Sequence, residues 1–472
     1  MQENKEQRHL VNKTYDEICI GDSSSLTRTL MPEDVKLFAV LTGDFNPGLV
    51  DQSYSESGMF REVIAHGMWS GSLISTVLGT QFPGPGTTLI DQSLHFARPV
   101  AIGDIVTVTV TAKQKFDHNQ HVIFDCVCTN QEGMQVVRGT AEVLAPTEKI
   151  SRLQDTHRPG VSIDDKHARY NRLLSRVKGL EPIPTAVAHP CDEEALKGPV
   201  IAFQEGIIEP ILVGPESKIR SVAEEFGLDL HGIRIVNARH SHDSAAIAVS
   251  LVRTGDAEAL MKGSLHTDEL MSEVVSRANG LRTSRRISHV FVMEVPTYHR
   301  PLMITDAAIN IAPTLEEKMH IIQNAIDLAH ILGIPEPKVA ILSAVETVNP
   351  KIQSTLDAAA LCKMADRGQI TGGILDGPLA FDNAVSIVAA KTKGIMSAVA
   401  GHAEILVVPD LESGNMLAKQ LEYLANALTA GIVLGTRVPI VLTSRADTAE
   451  TRIASCVIAA LVAHANRKTG NI

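Results

Sequence analysis

The first third of the chain combines one long apolar segment with later segments in which apolar and polar residues alternate. Residues 68–78 are apolar on nearly all sides, which is typical of a buried helix. Valine and threonine alternate at 105–111, and residues 122–129 and 134–144 continue a pattern of strands. One buried helix followed by an antiparallel sheet predicts an α+β domain in which the sheet wraps round the helix.

The rest of the chain has a different pattern, in which short continuous apolar runs alternate with helical segments such as 315–332 and 416–430. Continuous apolar runs fit strands of a parallel sheet that is buried on both faces. They lie at residues 185–188, 211–214, 233–236, 290–293, 339–342, 405–408 and 440–443. The pattern predicts a doubly wound α/β domain with two lobes around a cleft.

The length of 472 residues exceeds what one ordinary hydrophobic core accommodates, so at least two domains are expected. A polar stretch with a Pro-Gly pair separates the two patterns. We therefore predict a first domain over residues 1–146, a linker over 147–168 that ends in a helix from Lys166, and a second domain over 169–472.

Composition narrows the class of protein. The formal net charge of -11 argues against nucleic acid or an anionic membrane as the main partner, because both require a basic surface. No apolar run is long enough to span a bilayer and the first residues have no signal sequence, so we expect a cytoplasmic protein. Cys126 and Cys128 share one face of a strand, and we interpret them as small buried residues with free thiols rather than as metal ligands.

A short motif near the start of the chain has the chemistry of an active site. Pro47 makes the turn around Asp44 and Asn46 rigid, since proline restricts both its own φ and the preceding residue. Gly67 stands where the apolar helix should begin, so its N–H can hold a developing oxyanion.

This motif resembles the MaoC-like, R-specific enoyl-CoA hydratases, which are hot-dog folds with the signature D-x-N-P-x-H followed by I-A-H-G-M. The resemblance implies that Asp44 and Asn46 belong to the site that activates water, and that the Gly67 amide polarises a thioester carbonyl. Leu49 stands at the position of the family's histidine, and a leucine side chain cannot move a proton. Two hypotheses follow: an active hydratase, or a non-catalytic module for acyl-CoA binding or oligomerisation.

Four polar stretches are candidates for a second site, namely 262–267 after an expected helix, 305–310, 409–415 and 443–447. In an α/β domain such sites lie in loops at the carboxyl ends of strands. Ser444 beside Arg445 is the most specific pair, because a hydroxyl and a guanidinium together bind a tetrahedral oxyanion well. No G-x-G-x-x-G follows the first strand, and Gly372 and Gly377 lack the lysine of a phosphate loop, so neither a dinucleotide nor an ATP site is expected.

The order of these stretches resembles the phosphate acetyl/butyryltransferase family over about 169–472. The residues that carry the resemblance are Gly263, His266-Thr267, Asp306, Asn310, Asp376-Gly377, Gly414-Asn415 and Ser444-Arg445. It implies reversible acyl transfer between coenzyme A and inorganic phosphate, with phosphate against Ser444 and Arg445 and CoA in the cleft. The acetyl branch has a carboxylate base seven residues after the serine; Thr451 stands there, which leaves Asp447 and Glu450 as candidate bases.

The resemblance also implies a wider substrate-binding set and the partners of the protein. The substrate-binding candidates are His266, Thr267, Arg285, Arg286, Asp306, Asn310 and Asn415. We expect no tightly bound cofactor and no metal, acyl-CoA, CoA and phosphate as small-molecule partners, and a homodimer or larger assembly. Ser284-Arg285-Arg286 and Ala446-Asp447 look more like the butyryl than the acetyl branch, while acetyl, propionyl and butyryl groups all stay open as substrates.

Overall fold

The computed structural model describes residues 9–46, 64–153, 166–444 and 447–469. The chain divides into two compact units, Met1–Asp164 and Asp165–Ile472. This division falls inside the stretch expected to be a linker. The exact limits of the linker stay a prediction, because residues 154–165 lie outside the described ranges.

Within the described residues, the first unit has seven strands, two α-helices and a short 3-10 helix at Tyr15–Glu17. In chain order they are β1 (His9–Val11), β2 (Ser23–Thr29), α1 (Pro32–Thr42), α2 (Gly67–Thr80), β3 (Thr88–Phe96), β4 (Ile105–Phe116), β5 (His121–Thr129), β6 (Gln135–Leu144) and β7 (Ser151–Leu153).

The hot-dog arrangement predicted for this unit is confirmed. Five strands form an antiparallel sheet in the order β2-β4-β5-β6-β3. Every second residue of β5 and of β4 up to Ala112 is buried, and Val108 and Val110 pair with Cys128 and Cys126. These side chains form one core with the buried face of α2, including Trp69, because period-two and helical patterns place both sets inward.

The first residues of the expected linker belong to the first unit. Strand β7 pairs antiparallel with β1 at the start of the described chain. Asn12 strengthens this contact, since its amide donates to the carbonyl of Glu148 at 2.8 Å and its carbonyl accepts the N–H of Ile150 at 2.8 Å. The helix expected from Lys166 is present and opens the second unit.

The described part of the second unit alternates strands and helices over nearly its whole length. In chain order the elements are α3 (Lys166–Ser175), β8 (Ile183–Ala188), α4 (Glu193–Gln204), β9 (Ile208–Gly214), α5 (Glu216–Glu225), β10 (Arg234–Asn237), α6 (Ser241–Thr254), β11 (Ala259–Lys262), α7 (Thr267–Val274), β12 (Ser288–Glu294), β13 (Leu302–Thr305), α8 (Leu315–Ile331), β14 (Lys338–Leu342), α9 (Gln353–Asp366), β15 (Ile374–Leu379), α10 (Phe381–Val385), α11 (Ile387–Thr392), β16 (Ile405–Val407), α12 (Leu411–Leu424), β17 (Leu428–Leu434), β18 (Ile440–Val441) and α13 (Ala449–Thr469).

These strands form one eleven-stranded sheet, in the order β10-β9-β8-β11-β18-β17-β12-β13-β16-β14-β15. The strands from β10 to β18 in this order are parallel, and so are the strands from β13 to β15. Between the two groups, β17 and β12 introduce three antiparallel pairings in succession. An odd number of reversals means that the two groups run in opposite directions, so their carboxyl ends point in opposite directions.

All seven predicted strands of this unit are present, but three local predictions were wrong. The stretch 262–267 follows strand β11 rather than a helix. The helix predicted over 416–430 begins at Leu411 and ends at Leu424, because the apolar residues from Leu428 pair with β12. The sheet is mixed instead of wholly parallel. Among the described helices, none is both long and apolar enough to cross a membrane.

Candidate active sites

In the first unit, Asp44 is held by a histidine. The Nε2 atom of His66 lies 2.8 Å from Oδ2 of Asp44. The other oxygen of Asp44 accepts the backbone N–H of Asn46 at 3.2 Å. The His66 ring also lies against Phe38, with 5.1 Å between the ring centroids. The turn predicted to be rigid is therefore fixed to the residue that precedes α2.

Gly67 is the first residue of α2, as the sequence predicts. A Cβ atom at this position would lie 3.5 Å from the Phe96 ring, which is an ordinary van der Waals contact, so the Phe96 ring covers this face of the helix start. The first N–H groups of a helix lack intrahelical partners and are suited to bind an oxyanion. Leu49 lies outside the described residues.

In the second unit, the Ser444 turn follows β18 and is fixed by charged side chains. The Ser444 N–H donates to Oδ2 of Asp447 at 2.7 Å. Arg452, on α13, donates to the Ser444 carbonyl at 3.0 Å and to Oγ1 of Thr443 at 2.8 Å. Arg445 lies outside the described residues. The turn is thus a rigid element at the carboxyl end of a buried strand.

Two lysines lie close to this turn. Lys262, at the end of the neighbouring strand β11, is buried and donates to the Thr443 carbonyl at 3.3 Å. Lys419, on α12, lies 3.3 Å from Oδ1 of Asp447 and 2.7 Å from Oε2 of Glu422. Burial lowers the pKa of Lys419, but its hydrogen bond with Glu422 and the charge of Asp447 raise the pKa above its usual value overall. Lys419 is accordingly charged at neutral pH.

A second cluster surrounds Asp306 at the end of β13. The buried carboxylate accepts the N–H groups of His289, Ala308, Ile309 and Asn310, and the Asn310 side-chain amide. Nε of Arg286 donates to the side-chain oxygen Oδ1 of Asn310 at 2.7 Å. Asn415 donates to the carbonyl of Ala307 at 3.2 Å. Four predicted substrate-binding residues therefore belong to one hydrogen-bonded group, in which Asp306 orders the loop.

The buried His289 connects this cluster to the Ser444 turn, since Asp306 accepts its N–H at 3.2 Å and the charges of Asp447 and Lys419 also act on its pKa. Arg286 lies farther away. Ile440 of β18 pairs with Val433 of β17, which pairs with His289 of β12. Along the common direction of β18 and β12, Ser444 lies after this row of paired residues and Arg286 lies before it. Their separation of seven positions corresponds to roughly 20 Å along the strands. All four predicted stretches follow strands. Their strands end in one row across the sheet, in which Met261 pairs with Val441 and Thr305 pairs with Val290 and Val407, and the loops leave this row in opposite directions.

The other residues predicted for the second site lie either on the side of Ser444 or on the side of Arg286. His266 is exposed and directly precedes α7, which begins at Thr267, so both follow β11 on the Ser444 side. Arg285 lies with Arg286 at the other end and pairs with Asp327 at 3.2 Å. Glu450 is exposed in the first turn of α13, and Thr451 is buried.

Sequence reasoning missed His66, Lys262, Lys419 and Arg452 as parts of these sites. Arg452 carries a signal, because it directly precedes the uncharged, largely apolar stretch 453–463 in the middle of α13. His66 and Lys262 lie within the motifs that were singled out, but their partners are 22 and 181 residues away in sequence. Only the folded chain identifies such partners.

The thiols have the structural role that the sequence predicts. Cys126 and Cys128 are fully buried and free, and burial raises the pKa of each thiol to about 12. A neutral thiol is a weak nucleophile and a poor metal ligand. Over the described ranges, no three His, Cys, Asp or Glu side chains are grouped so that they can hold a metal ion.

Comparison with known proteins assigns both units. Residues 20–130 match the family model described as "MaoC like domain", and residues 239–460 match "Phosphate acetyl/butaryl transferase". The phosphate acetyltransferase of Rhizobium meliloti is 63% identical over 300 residues, which are 64% of this chain and 95% of that protein. The phosphate butyryltransferase of Clostridium acetobutylicum is 45% identical over 294 residues, 62% of this chain and 98% of that one.

Among solved structures, the branched-chain phosphotransacylase from Enterococcus faecalis V583 is 33% identical, with a TM-score of 0.54. The match covers 60% of this chain and 99% of that one. The fold and the matches define a phosphate acyltransferase that carries a MaoC-like hot-dog domain in front. The chain belongs to the phosphate acetyl/butyryltransferase family, whose substrates are an acyl-CoA thioester and phosphate.

Proposed function

We propose that the second unit transfers an acetyl group reversibly between coenzyme A and inorganic phosphate. A phosphate oxygen attacks the thioester carbonyl carbon directly, a C–O bond forms, and the C–S bond breaks. The products are acetyl phosphate and CoA, which leaves as the thiolate and takes up a proton. No acyl-enzyme is needed, so the protein contributes positioning and charge.

The preference for acetyl groups is supported by relatives. Four relatives that are 57% to 63% identical are named phosphate acetyltransferases. Three relatives named as phosphate butyryltransferases, one of them only probable, are 42% to 45% identical. Overall similarity thus favours acetyl, although two short sequence motifs look more like the butyryl branch.

One observation supports the phosphate site: the Ser444 turn is surrounded by fixed positive charge from Arg452 and Lys262. We assign phosphate to Ser444 and Arg445, because a hydroxyl and a guanidinium fork suit a tetrahedral anion. His266 and Thr267 follow β11 on the same side, and we assign CoA contact to them. We assign Arg285, Arg286, Asp306, Asn310 and Asn415 to ordering the loops around the ends of β12 and β13.

The choice between the two candidate bases follows from exposure. Both oxygens of Asp447 are engaged, and its side chain is buried. Glu450 is exposed at the start of α13. We therefore propose Glu450 as the group that accepts the thiol proton when CoA attacks acetyl phosphate.

The test is thiol release from acetyl-, propionyl- and butyryl-CoA with phosphate as the acceptor, using the full chain. We expect the highest kcat/KM with acetyl-CoA. Ser444→Ala and Arg445→Ala should each lower the rate by well over tenfold, because each removes a donor to a charged group. Unchanged rates in both variants would rule out this phosphate site, and a preference for butyryl-CoA would overturn the substrate assignment.

A second function, hydration of enoyl-CoA, is favoured for the first unit by the contact between His66 and Asp44. Asp44 would take a proton from water as the hydroxyl adds to Cβ, and deliver a proton to Cα, while the Gly67 N–H holds the thioester oxygen. Loss of absorbance of crotonyl-CoA measures this activity in the full chain. If the wild type hydrates crotonyl-CoA and Asp44→Ala does not, the first unit is an active hydratase. If the wild type shows no hydration, the result supports a binding or oligomerisation module.

We also propose a homodimer or larger assembly. Strand β3 lies at an edge of the hot-dog sheet and exposes Leu89, Ile90 and Phe96. An apolar edge strand favours pairing with a second copy. Light scattering of the full chain at several concentrations tests this proposal, and a monomer at all concentrations would contradict it.

A further inference from the structure

The main chain of Ser444 is held on both sides by buried side chains of opposite charge. Asp447 accepts its N–H at 2.7 Å, and Arg452 donates to its carbonyl oxygen at 3.0 Å. Asp447 is 3% exposed and Arg452 is 1% exposed. The two peptide units on either side of the Ser444 Cα atom are each held by a charged group, which leaves them little freedom, because charge-assisted hydrogen bonds are roughly twice as strong as neutral ones.

Arg452 occupies a place that the fold leaves free for it. A Cβ atom at Gly198, on α4, would lie 2.9 Å from both Cβ and Cδ of Arg452. The side chain therefore passes closely over a helix that has a glycine at the crossing point. A larger residue at 198 would move the guanidinium away from the Ser444 turn.

The charge of Arg452 is not cancelled by a contact. Among the described residues, no carboxylate lies within salt-bridge distance of it, and its Nε has no hydrogen-bond partner. Burial lowers the pKa of Arg452, while the more distant charges of Asp447, Asp192 and Glu194 raise it. A guanidinium stays protonated in proteins. A positive charge therefore lies next to the Ser444 carbonyl group.

Asp447, in contrast, is neutralised. One carboxylate oxygen binds the Ser444 N–H, and the other faces Lys419 at 3.3 Å. The pair is fixed further by Glu422, which binds Lys419 at 2.7 Å. An acid with both oxygens engaged by donors is a poor proton acceptor, but it is well placed to hold a backbone.

We propose that Asp447 and Arg452 are positioning residues for the phosphate site. Asp447 and Arg452 together fix the peptide units before and after Ser444, so that its hydroxyl is held for phosphate. Arg452 in addition supplies positive charge that favours the phosphate dianion. The proposal rests on the transfer reaction proposed above, and it assigns to Asp447 a role other than that of a base.

The two roles of Asp447 predict different outcomes for two substitutions. In Asp447→Asn, the side-chain oxygen still accepts the Ser444 N–H, so we expect kcat to stay within about tenfold of the wild type. In Asp447→Leu the acceptor is lost, and kcat should fall on the order of a hundredfold. If Asp447 were the base, Asp447→Asn would itself lower kcat by about 10² to 10⁴. Such a loss in a folded Asp447→Asn variant would overturn the proposal.

The role of Arg452 predicts a change in KM for phosphate. Arg452→Met keeps an unbranched apolar side chain but removes the charge and the donors, so KM for phosphate should rise by about tenfold or more. KM for acetyl-CoA should change by less than about threefold, since we assign CoA contact to other residues. Arg452→Lys restores the charge and should recover part of the phosphate affinity.

Arg467→Gln is the matched control, because Arg467 lies on the same helix but pairs with Glu258 at 2.7 Å. It should leave both KM values unchanged. Thermal unfolding and circular dichroism of every variant identify those that fail to fold. An unchanged KM for phosphate in folded Arg452→Met would overturn the role of Arg452.

Direct binding separates this proposal from the proposed function. Calorimetric titration of the full chain with inorganic phosphate alone needs no turnover. Weaker phosphate binding in Arg452→Met and Asp447→Leu, with wild-type binding in Asp447→Asn and Arg467→Gln, supports the positioning roles even if no acyl-CoA is turned over. Equal binding in all variants would contradict them even if transfer is observed.

Discussion

His66 donates a hydrogen bond from Nε2 to Oδ2 of Asp44, and the two atoms lie 2.8 Å apart. The direction follows from the other ring nitrogen, since Nδ1 accepts the backbone N–H of Met68 at 3.2 Å. A ring nitrogen that accepts carries no hydrogen, so the tautomer with its hydrogen on Nε2 fits both contacts.

This tautomer gives a prediction for hydration. His66→Ala should lower the rate with crotonyl-CoA by about tenfold or more, because Asp44 loses the donor that orients it. His66→Asn should retain more activity, since its amide can still donate. His118→Ala, in the turn after β4, is the control and should change nothing. Equal rates for His66→Ala and the wild type would contradict the role of His66, and ¹⁵N NMR of His66 checks the tautomer without turnover.

Leu49 gives a second prediction, on the residue that stands at the family's histidine position. Leu49→His should raise the hydration rate by about tenfold or more, because a positioned imidazole contributes about 10² to 10⁴ in general acid–base catalysis. The crotonyl-CoA assay measures the change, and the double variant with Asp44→Ala should abolish the gain. No increase would mean that the missing histidine does not limit this unit.

The pair of Lys318 and Asp357 predicts a large effect on stability. The Nζ and Oδ2 atoms lie 2.7 Å apart, and both residues are buried between α8 and α9. Asp357→Ala leaves the lysine charge buried without its partner, which should cost about 3 to 5 kcal/mol in the free energy of unfolding. Denaturant unfolding of the second-unit transition measures this change.

Asp366→Ala is the matched control for that measurement. It breaks the pair between Lys363 and Asp366, which are also joined at 2.6 Å but are mostly exposed. An exposed pair should contribute less than about 1 kcal/mol. Equal effects of the two substitutions would contradict the importance of burial, and Lys318→Met combined with Asp357→Leu should recover much of the loss.

His289 predicts a pH dependence of stability. Burial lowers the pKa of His289 in the folded protein, although Asp306 and Asp447 nearby oppose this shift and Lys419 adds to it. At pH values above about 6.5, the pKa of histidine in the unfolded protein, the imidazole is neutral in both the folded and the unfolded state. Its contribution to the free energy of unfolding is then constant. As the pH falls below that value, the unfolded state takes up a proton that folded His289 does not, so stability falls by up to about 1.4 kcal/mol per pH unit.

The measurement is the free energy of unfolding between pH 7.5 and 5.5. His289→Gln should be less stable than the wild type at pH 7.5, but it should lose less stability on acidification. His231→Gln, in an exposed loop, is the control, and its free energy of unfolding should change with pH as it does in the wild type. Identical slopes for the wild type and His289→Gln would contradict the prediction.

Part of the candidate sites could be read from the sequence. Ser444, Asp306 and Gly67 all lie where the patterns place them, at strand ends or at a helix start, because each motif is local. The partners could not be read in the same way. Arg452 reaches Ser444 through a helical turn and a crossing over Gly198, and Lys419 reaches Asp447 from another helix.

The sequence by itself determined the two kinds of architecture and the order of their elements, because hydrophobic periodicity depends only on neighbouring residues. The alternation in β4 and β5 and the continuous runs of β8 and β14 illustrate this. Only the tertiary structure decided which strand ends meet. β18 and β12 both pair antiparallel with β17 and therefore run in the same direction, which places Ser444, after β18, and Arg286, before β12, at opposite ends of the sheet. Strand direction depends on pairing between segments far apart in the chain.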